Sequence, residues 1–125
     1  QVLIKSMAKL HFPNLGILTA PIVRSSNGIA LSSRNNYLSL KELELSSNLF
    51  KSLQQSVSFY KNGISEQDVI QKGIDFLISK NLTPDYYELR DNFLNKIEKS
   101  NYNGKKIFLG SVKIGKTRII DNIEF

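Results

Sequence analysis

Apolar and polar positions recur along this chain with a changing period, and each change marks an element. From Val2 to Phe12 the residues Leu3, Met7 and Leu10 keep helical spacing while Lys5 and Lys9 fall on the other side, which predicts a helix ended by Pro13-Asn14. Gly16 to Ala20 is a short apolar run closed by Pro21 and reads as a buried strand, so that helix and strand together make half of an α/β unit. Val23 to Asn36 is a polar loop. Ser39-Leu40-Lys41-Glu42 then has the spacing of a capping box, in which the serine caps a helix and Glu42 reaches back to it. That helix extends to about Lys61, with Leu43, Leu49, Phe50, Leu53 and Val57 on its apolar side, and stops at Asn62-Gly63. Ser65 caps another helix through about Lys80, buried through Val69, Ile70, Ile74 and Leu77.

After Pro84 the period falls to two. Tyr86 to Arg90, Lys105 to Val112 and Thr117 to Ile123 are strand candidates, the last two joined by a hairpin turn at Lys113-Ile114-Gly115-Lys116. Asn92 to Gly104 is polar and reads as a loop with a short helical start. Helix, helix, strand, strand, strand predicts an α+β domain: a small antiparallel three-stranded sheet with two main helices on one face, preceded by a helix and a short strand.

Composition narrows the chemistry. With 125 residues, 41% hydrophobic and 22% charged, the chain has the makeup of an ordinary globular domain without a membrane-spanning run or a signal-peptide pattern, and a cytoplasmic location is expected. Cysteine is absent and His11 is the single histidine, so no metal site is expected. The net charge of +6 favours anionic partners. Lys105-Lys106 is the only adjacent basic pair, and no helix carries a basic stripe interleaved with aromatics, which weighs against nucleic acid. The chain opens with Gln inside a helical pattern, as a piece of a longer protein would.

The most distinctive stretch is the loop, Pro21-Ile22-Val23-Arg24, Ser25-Ser26-Asn27-Gly28, then Ile29-Ala30-Leu31-Ser32-Ser33-Arg34-Asn35. Ser32 and Ser33 offer two adjacent hydroxyl donors, and Arg34 offers a planar fork of donors that matches phosphate oxygens. The residues just after can open a helix, whose first N–H groups are free to meet an anion. The loop's polarity, Gly28 and paired serines also predict a mobile lid over residues 24–36. A plainer account of each residue stands beside this one. Arg34 can be a surface ion-pair residue, and Asn35 and Asn36 can shape a turn. Arg118 and Asp121, three apart on a strand, point to opposite faces and read as structural, with Asp121-Asn122 satisfying backbone groups at a strand end. Glu88 and Arg90 share a face and can pair, while Tyr86 and Tyr87 read as core or interface.

From Pro21 to Leu38 the chain resembles the nucleotide loop of the pantoate–β-alanine ligase family. Asp85-Tyr86-Tyr87-Glu88-Leu89-Arg90-Asp91 is similar to that family's first C-terminal strand, and Gly115-Lys116-Thr117-Arg118-Ile119-Ile120-Asp121-Asn122 to its closing motif. The resemblance implies a C-terminal portion of a ligase that uses ATP, carrying Mg2+, to join pantoate to β-alanine through pantoyl adenylate, releasing pyrophosphate and then AMP. It implies that residues 1–23 end a Rossmann-like domain and that residues 24–125 form a lid domain over the nucleotide. Ser32, Ser33 and Arg34 would then act on the ATP phosphates, with Val23 and Leu31 beside the nucleotide. The family's histidine-bearing motif, most of its pantoate pocket and its homodimer contact would lie upstream of residue 1, so these 125 residues alone are expected to be inactive. Gln1 stands one position out of register with a pantoate-binding Gln of the family and takes no role. Against this stands the alternative of a basic nucleotide- or nucleic-acid-binding module without catalysis.

Overall fold

The computed structural model describes residues 1–97 and 102–125. Helix α1 spans Val2–His11, a 3-10 turn spans Ser33–Tyr37, and helices α2 and α3 span Leu40–Lys61 and Glu66–Ser79. Strands β1 (Pro84–Asp91), β2 (Lys106–Ile114) and β3 (Thr117–Glu124) form one antiparallel sheet in the order β1-β2-β3. The α+β class expected from the sequence is therefore the observed one.

Local chemistry accounts for the boundaries. The Ser39 hydroxyl accepts from the Glu42 N–H, and the Glu42 carboxylate accepts from the Ser39 N–H at 2.9 Å, closing the capping box. The backbone bond from Ser39, reinforced by its hydroxyl, holds the Glu42 carboxyl below its ordinary value of 4.5. Ser65 caps α3 through its hydroxyl, which accepts from the Asp68 N–H and donates to the Asp68 carboxylate at 2.6 Å. At the β2–β3 turn Ile114 faces Thr117, and Gly115 takes a φ of +56°, a conformation open to glycine.

Alternation along the strands decides which face is covered. Tyr87 and Leu89, Phe108 and Val112, and Ile119 turn inward beneath α2 and α3, where they meet Leu49, Leu53, Val69 and Leu77. Phe108 is fully buried and stacks on Phe125 with centroids 5.5 Å apart. The buried side of α2 is more polar than its pattern suggested, since Ser46, Ser47, Ser52 and Ser56 are all buried. Ser46 and Ser47 donate back to the carbonyls of Leu43 and Glu44 at 2.7 Å. Ser52 donates to the Gly73 carbonyl of α3 at 2.9 Å, and Ser52 and Ser56 both hydrogen-bond the Tyr87 hydroxyl, at 3.0 and 2.8 Å. Small side chains let the helices approach closely here: a Cβ on Gly73 would lie 2.6 Å from the Tyr87 ring. Burial pushes the Tyr87 hydroxyl up from its ordinary value, against the two serine bonds.

Three sequence expectations change. The run from Gly16 to Ala20 forms no strand, and Leu18 is 99% exposed, because a strand needs a ladder partner and none of the described residues supplies one. Helix α1 forms as predicted, yet Leu3, Met7 and Leu10 remain exposed for the same lack of a covering element. Past β1, Asp91 forms a turn instead of a short helix, its carboxylate accepting from the N–H groups of Phe93 and Asn95. The rest of that expectation reaches residues 98–101, outside the described residues. No helix among the described residues is long and apolar enough to cross a membrane.

Candidate functional site

The loop between α1 and α2 has two limbs. In the first, the backbone folds into a small hairpin. Arg24 and Ala30 form an antiparallel bridge, the Leu31 N–H donates to the Val23 carbonyl at 2.9 Å, and the Ser25 N–H donates to the Ile29 carbonyl at 2.9 Å. Gly28 at the tip has a φ of +87°, and a Cβ there would fall 2.5 Å from the Phe50 ring on α2. Glycine is required on both counts, and the hairpin sits flat on the helix as a result.

One side chain ties this limb to the sheet. The Arg24 guanidinium donates to both carboxylate oxygens of Asp121 on β3, at 2.7 and 2.9 Å. It donates to the Gly28 carbonyl at 2.9 Å and to the Asn122 carbonyl at 3.3 Å. Its carbon lies 3.8 Å from the centroid of the Phe50 ring, within cation–π range. The Asp121 side chain is 6% exposed and that of Arg24 19%, so the pair is largely shielded from water. A bidentate, shielded arginine–carboxylate pair is among the stronger polar contacts a protein makes.

In the second limb the chain turns outward. Ser32 opens the 3-10 turn, its hydroxyl accepting from the Arg34 N–H at 3.2 Å, and the Asn35 side chain donates to the Ala30 carbonyl at 3.0 Å. Ser32, Ser33 and Arg34 are exposed, and the Arg34 guanidinium makes no hydrogen bond or ion pair among the described residues. Ser32 and Ser33 line a shallow hollow of about 560 Å³ together with Ser25, Leu31, Asn35 and Leu43. Val23 and Leu31, 67% and 62% exposed, stand side by side through their backbone bond. Of the five residues singled out in the sequence, the structure brings Leu31, Ser32 and Ser33 together on the hollow, keeps Arg34 within the adjoining 3-10 turn but outside the lining, and leaves Val23 on the hairpin limb, joined to Leu31 through the backbone. The hydroxyl and guanidinium donors they present match phosphate oxygens, and the hollow's lining contains no carboxylate that would repel an anion.

Sequence reasoning missed the Arg24–Asp121 pair. Its partners lie 97 positions apart, and only the fold brings them together. The reading of Asp121 as structural stands: Asp121 also accepts from the Asn122 N–H at 2.8 Å, while Arg118 leans the other way toward Asp85 at 3.1 Å. Glu88 and Arg90 pair at 2.7 Å on the sheet's open face, as their spacing suggested.

Comparison with known proteins gives this arrangement a class. A family model described as Pantoate-beta-alanine ligase matches residues 1–124, and the chain belongs to that ligase family. The relatives it resembles are pantothenate synthetases. One from Sulfurihydrogenibium sp. is 35% identical over all of this chain and 45% of its own length, and one from Campylobacter curvus is 37% identical over 98% of this chain and 44% of its own. The chain therefore spans less than half the length of the curated relatives it matches. The pantothenate synthetase of Thermus thermophilus superposes with a TM-score of 0.83 at 25% identity, over 98% of this chain and 44% of that one. A pantoate-beta-alanine ligase from Francisella tularensis, complexed with beta-gamma ATP and beta-alanine, shares the fold with a TM-score of 0.64 at 23% identity, over 97% of this chain and 38% of that one.

Proposed function

We propose that this chain supplies the C-terminal part of an ATP-dependent ligase that condenses pantoate with β-alanine. In this reading residues 24–125 form a lid domain over ATP, and residues 1–23 end the domain it closes against. The observation that carries it is the Ser32-Ser33-Arg34 turn, whose exposed donors are presented from an anchored hairpin. The ATP and β-alanine named for the Francisella tularensis ligase supply the substrate class.

Pantoate's carboxylate attacks the α-phosphate of ATP, forming an acyl–phosphate bond and breaking the bond to pyrophosphate. The β-alanine amine then attacks the acyl carbon, forming the amide and expelling AMP as a proton leaves the nitrogen. Charge builds on the departing phosphates in the first step, where Ser32, Ser33 and Arg34 stabilise it by hydrogen bonds that tighten as it grows. Val23 and Leu31 lie beside the nucleotide in this reading, and Mg2+ would enter with ATP and offset phosphate charge. Single-turnover formation of pantoyl adenylate tests this reading in the full-length polypeptide carrying these residues. Arg34→Ala is expected to slow that step by roughly a hundredfold or more, and an unchanged rate overturns the role of the turn. The 125 residues alone are expected to release no AMP from ATP, pantoate and β-alanine.

A further inference from the structure

We propose that Arg24 is a positioning residue for the phosphate-facing turn, acting through its pair with Asp121 and its seat on Phe50; the proposal rests on the reading of Ser32-Ser33-Arg34 given above. Arg24 itself makes no hydrogen bond to that turn, and its contacts tie the hairpin to β3 and α2. Two go to one carboxylate on β3, one to the carbonyl at the hairpin tip, one to the strand's own backbone, and its flat face covers an aromatic ring of α2.

What these contacts hold is specific. Asp121 lies within β3, opposite Gly110 of the central strand, where the ladder fixes its backbone on a rigid element. Across the hairpin, Arg24 bridges Ala30, and Ala30 lies two residues before Ser32. The Ala30 carbonyl in turn accepts from the side chain of Asn35, which lies in the middle of the 3-10 turn and whose N–H donates to the Ser32 carbonyl at 3.1 Å. A connected path therefore runs from the sheet through Asp121, Arg24 and Ala30 to both ends of Ser32–Asn35. Along this path Arg24 and Asp121 join the loop end to the sheet end, beside the direct approach of the 3-10 turn to β3. The pair fixes orientation as well as distance, because two parallel N–H···O bonds resist rotation where a single bond would allow it. Lysine retains the charge and loses that geometry.

The test is a double-mutant cycle on kcat/KM for ATP in the full-length polypeptide, with Arg24→Lys and Arg34→Ala made singly and together. A displacement of about 1 Å at a reacting group can cost up to roughly a hundredfold, so Arg24→Lys is expected to lower kcat/KM for ATP by about ten- to a hundredfold. If Arg24 acts through the turn, adding Arg24→Lys to Arg34→Ala lowers it by less than about threefold more, since the positioned group is already gone. Arg118→Gln breaks the Asp85 pair on the opposite face of the same strand and is expected to leave kcat/KM within about twofold, which separates positioning from general loosening of β3. Hydrogen exchange on Asp121→Asn is expected to show lost protection at residues 24–31 with β1 and β2 unchanged. The proposal is overturned if Arg24→Lys leaves kcat/KM within about threefold, if the two effects multiply, or if Arg24→Lys and Asp121→Asn both unfold the whole protein. An Arg34→Ala variant of normal activity instead overturns the reading beneath it, whatever Arg24 does.

Discussion

Arg24 and Arg34 occupy the two limbs of one loop, ten residues apart, in opposite surroundings. Arg24 spends its donors on a carboxylate and two backbone carbonyls and rests on Phe50. Arg34 stands exposed with its guanidinium unpaired among the described residues. The serines repeat the contrast. Ser52 and Ser56 are buried, with their hydroxyls committed to Tyr87, whereas Ser32 and Ser33 face outward. A polar group whose bonds are already made inside the protein stabilises it; one left pointing at solvent is available to a ligand. Residue type does not separate the two roles, and surroundings do.

The largest expected effect that divides the limbs is kinetic. Arg34→Ala should raise the adenylation barrier by about 2–4 kcal/mol while shifting stability by less than about 0.5 kcal/mol. Single-turnover kinetics beside thermal unfolding would read both, and a large loss of stability would erase the distinction from Arg24. Next comes the hairpin tip. Gly28→Ala forces a side chain into a φ of +87° and against the Phe50 ring, with an expected cost of roughly 1–3 kcal/mol in denaturant unfolding. A neutral result would show that the first limb is not pressed onto α2.

Among the serines, Tyr87→Phe removes the bonds to Ser52 and Ser56 and should cost about 1–2 kcal/mol, whereas Ser33→Ala should cost less than about 0.5 kcal/mol. Equal costs would mean that the outward serines are structural too. The smallest expected effect is at the start of α2. Glu42 titrates below its ordinary value of 4.5 in the folded protein, so the unfolded chain takes up the proton first as pH falls. The capping contribution is therefore present above about pH 4.5 and lost as pH drops through the lower folded value. Glu42→Gln should flatten that part of the stability–pH curve, and an unchanged acid limb would show that the box contributes nothing.

The loop also marks where expectation and structure part. Its polarity predicted a lid mobile from residue 24 to 36, yet the bridge at Ala30 and the Arg24–Asp121 pair tie the first half down. Hydrogen exchange is expected to grade along it, slower over 24–31 than over 32–36. Uniformly fast exchange would restore the single mobile lid.

Local signals in this chain were legible because their physics is local. Ser39 with Glu42, Ser65, Gly63 and Gly115 act on backbone groups a few residues away, so the bounds of α2 and the start of α3 could be read directly, while the β2–β3 turn was placed at the right spot but two residues too wide, the ladder running on through Lys113 and Ile114. Period-two alternation located the strands for the same reason, and the donors of Ser32-Ser33-Arg34 were visible as a string of residue types. Tertiary structure alone decided what depended on partners distant in the chain. Whether Gly16–Ala20 pairs as a strand and whether Leu3, Met7 and Leu10 are covered turns on an element to meet them. That Ser52 and Ser56 of α2 are buried goes with the close approach of Gly73 and Tyr87. Asp121 becomes the anchor of a loop 97 residues earlier because folding sets its carboxylate beneath Arg24, and an ion pair has no period or spacing that a linear sequence can display.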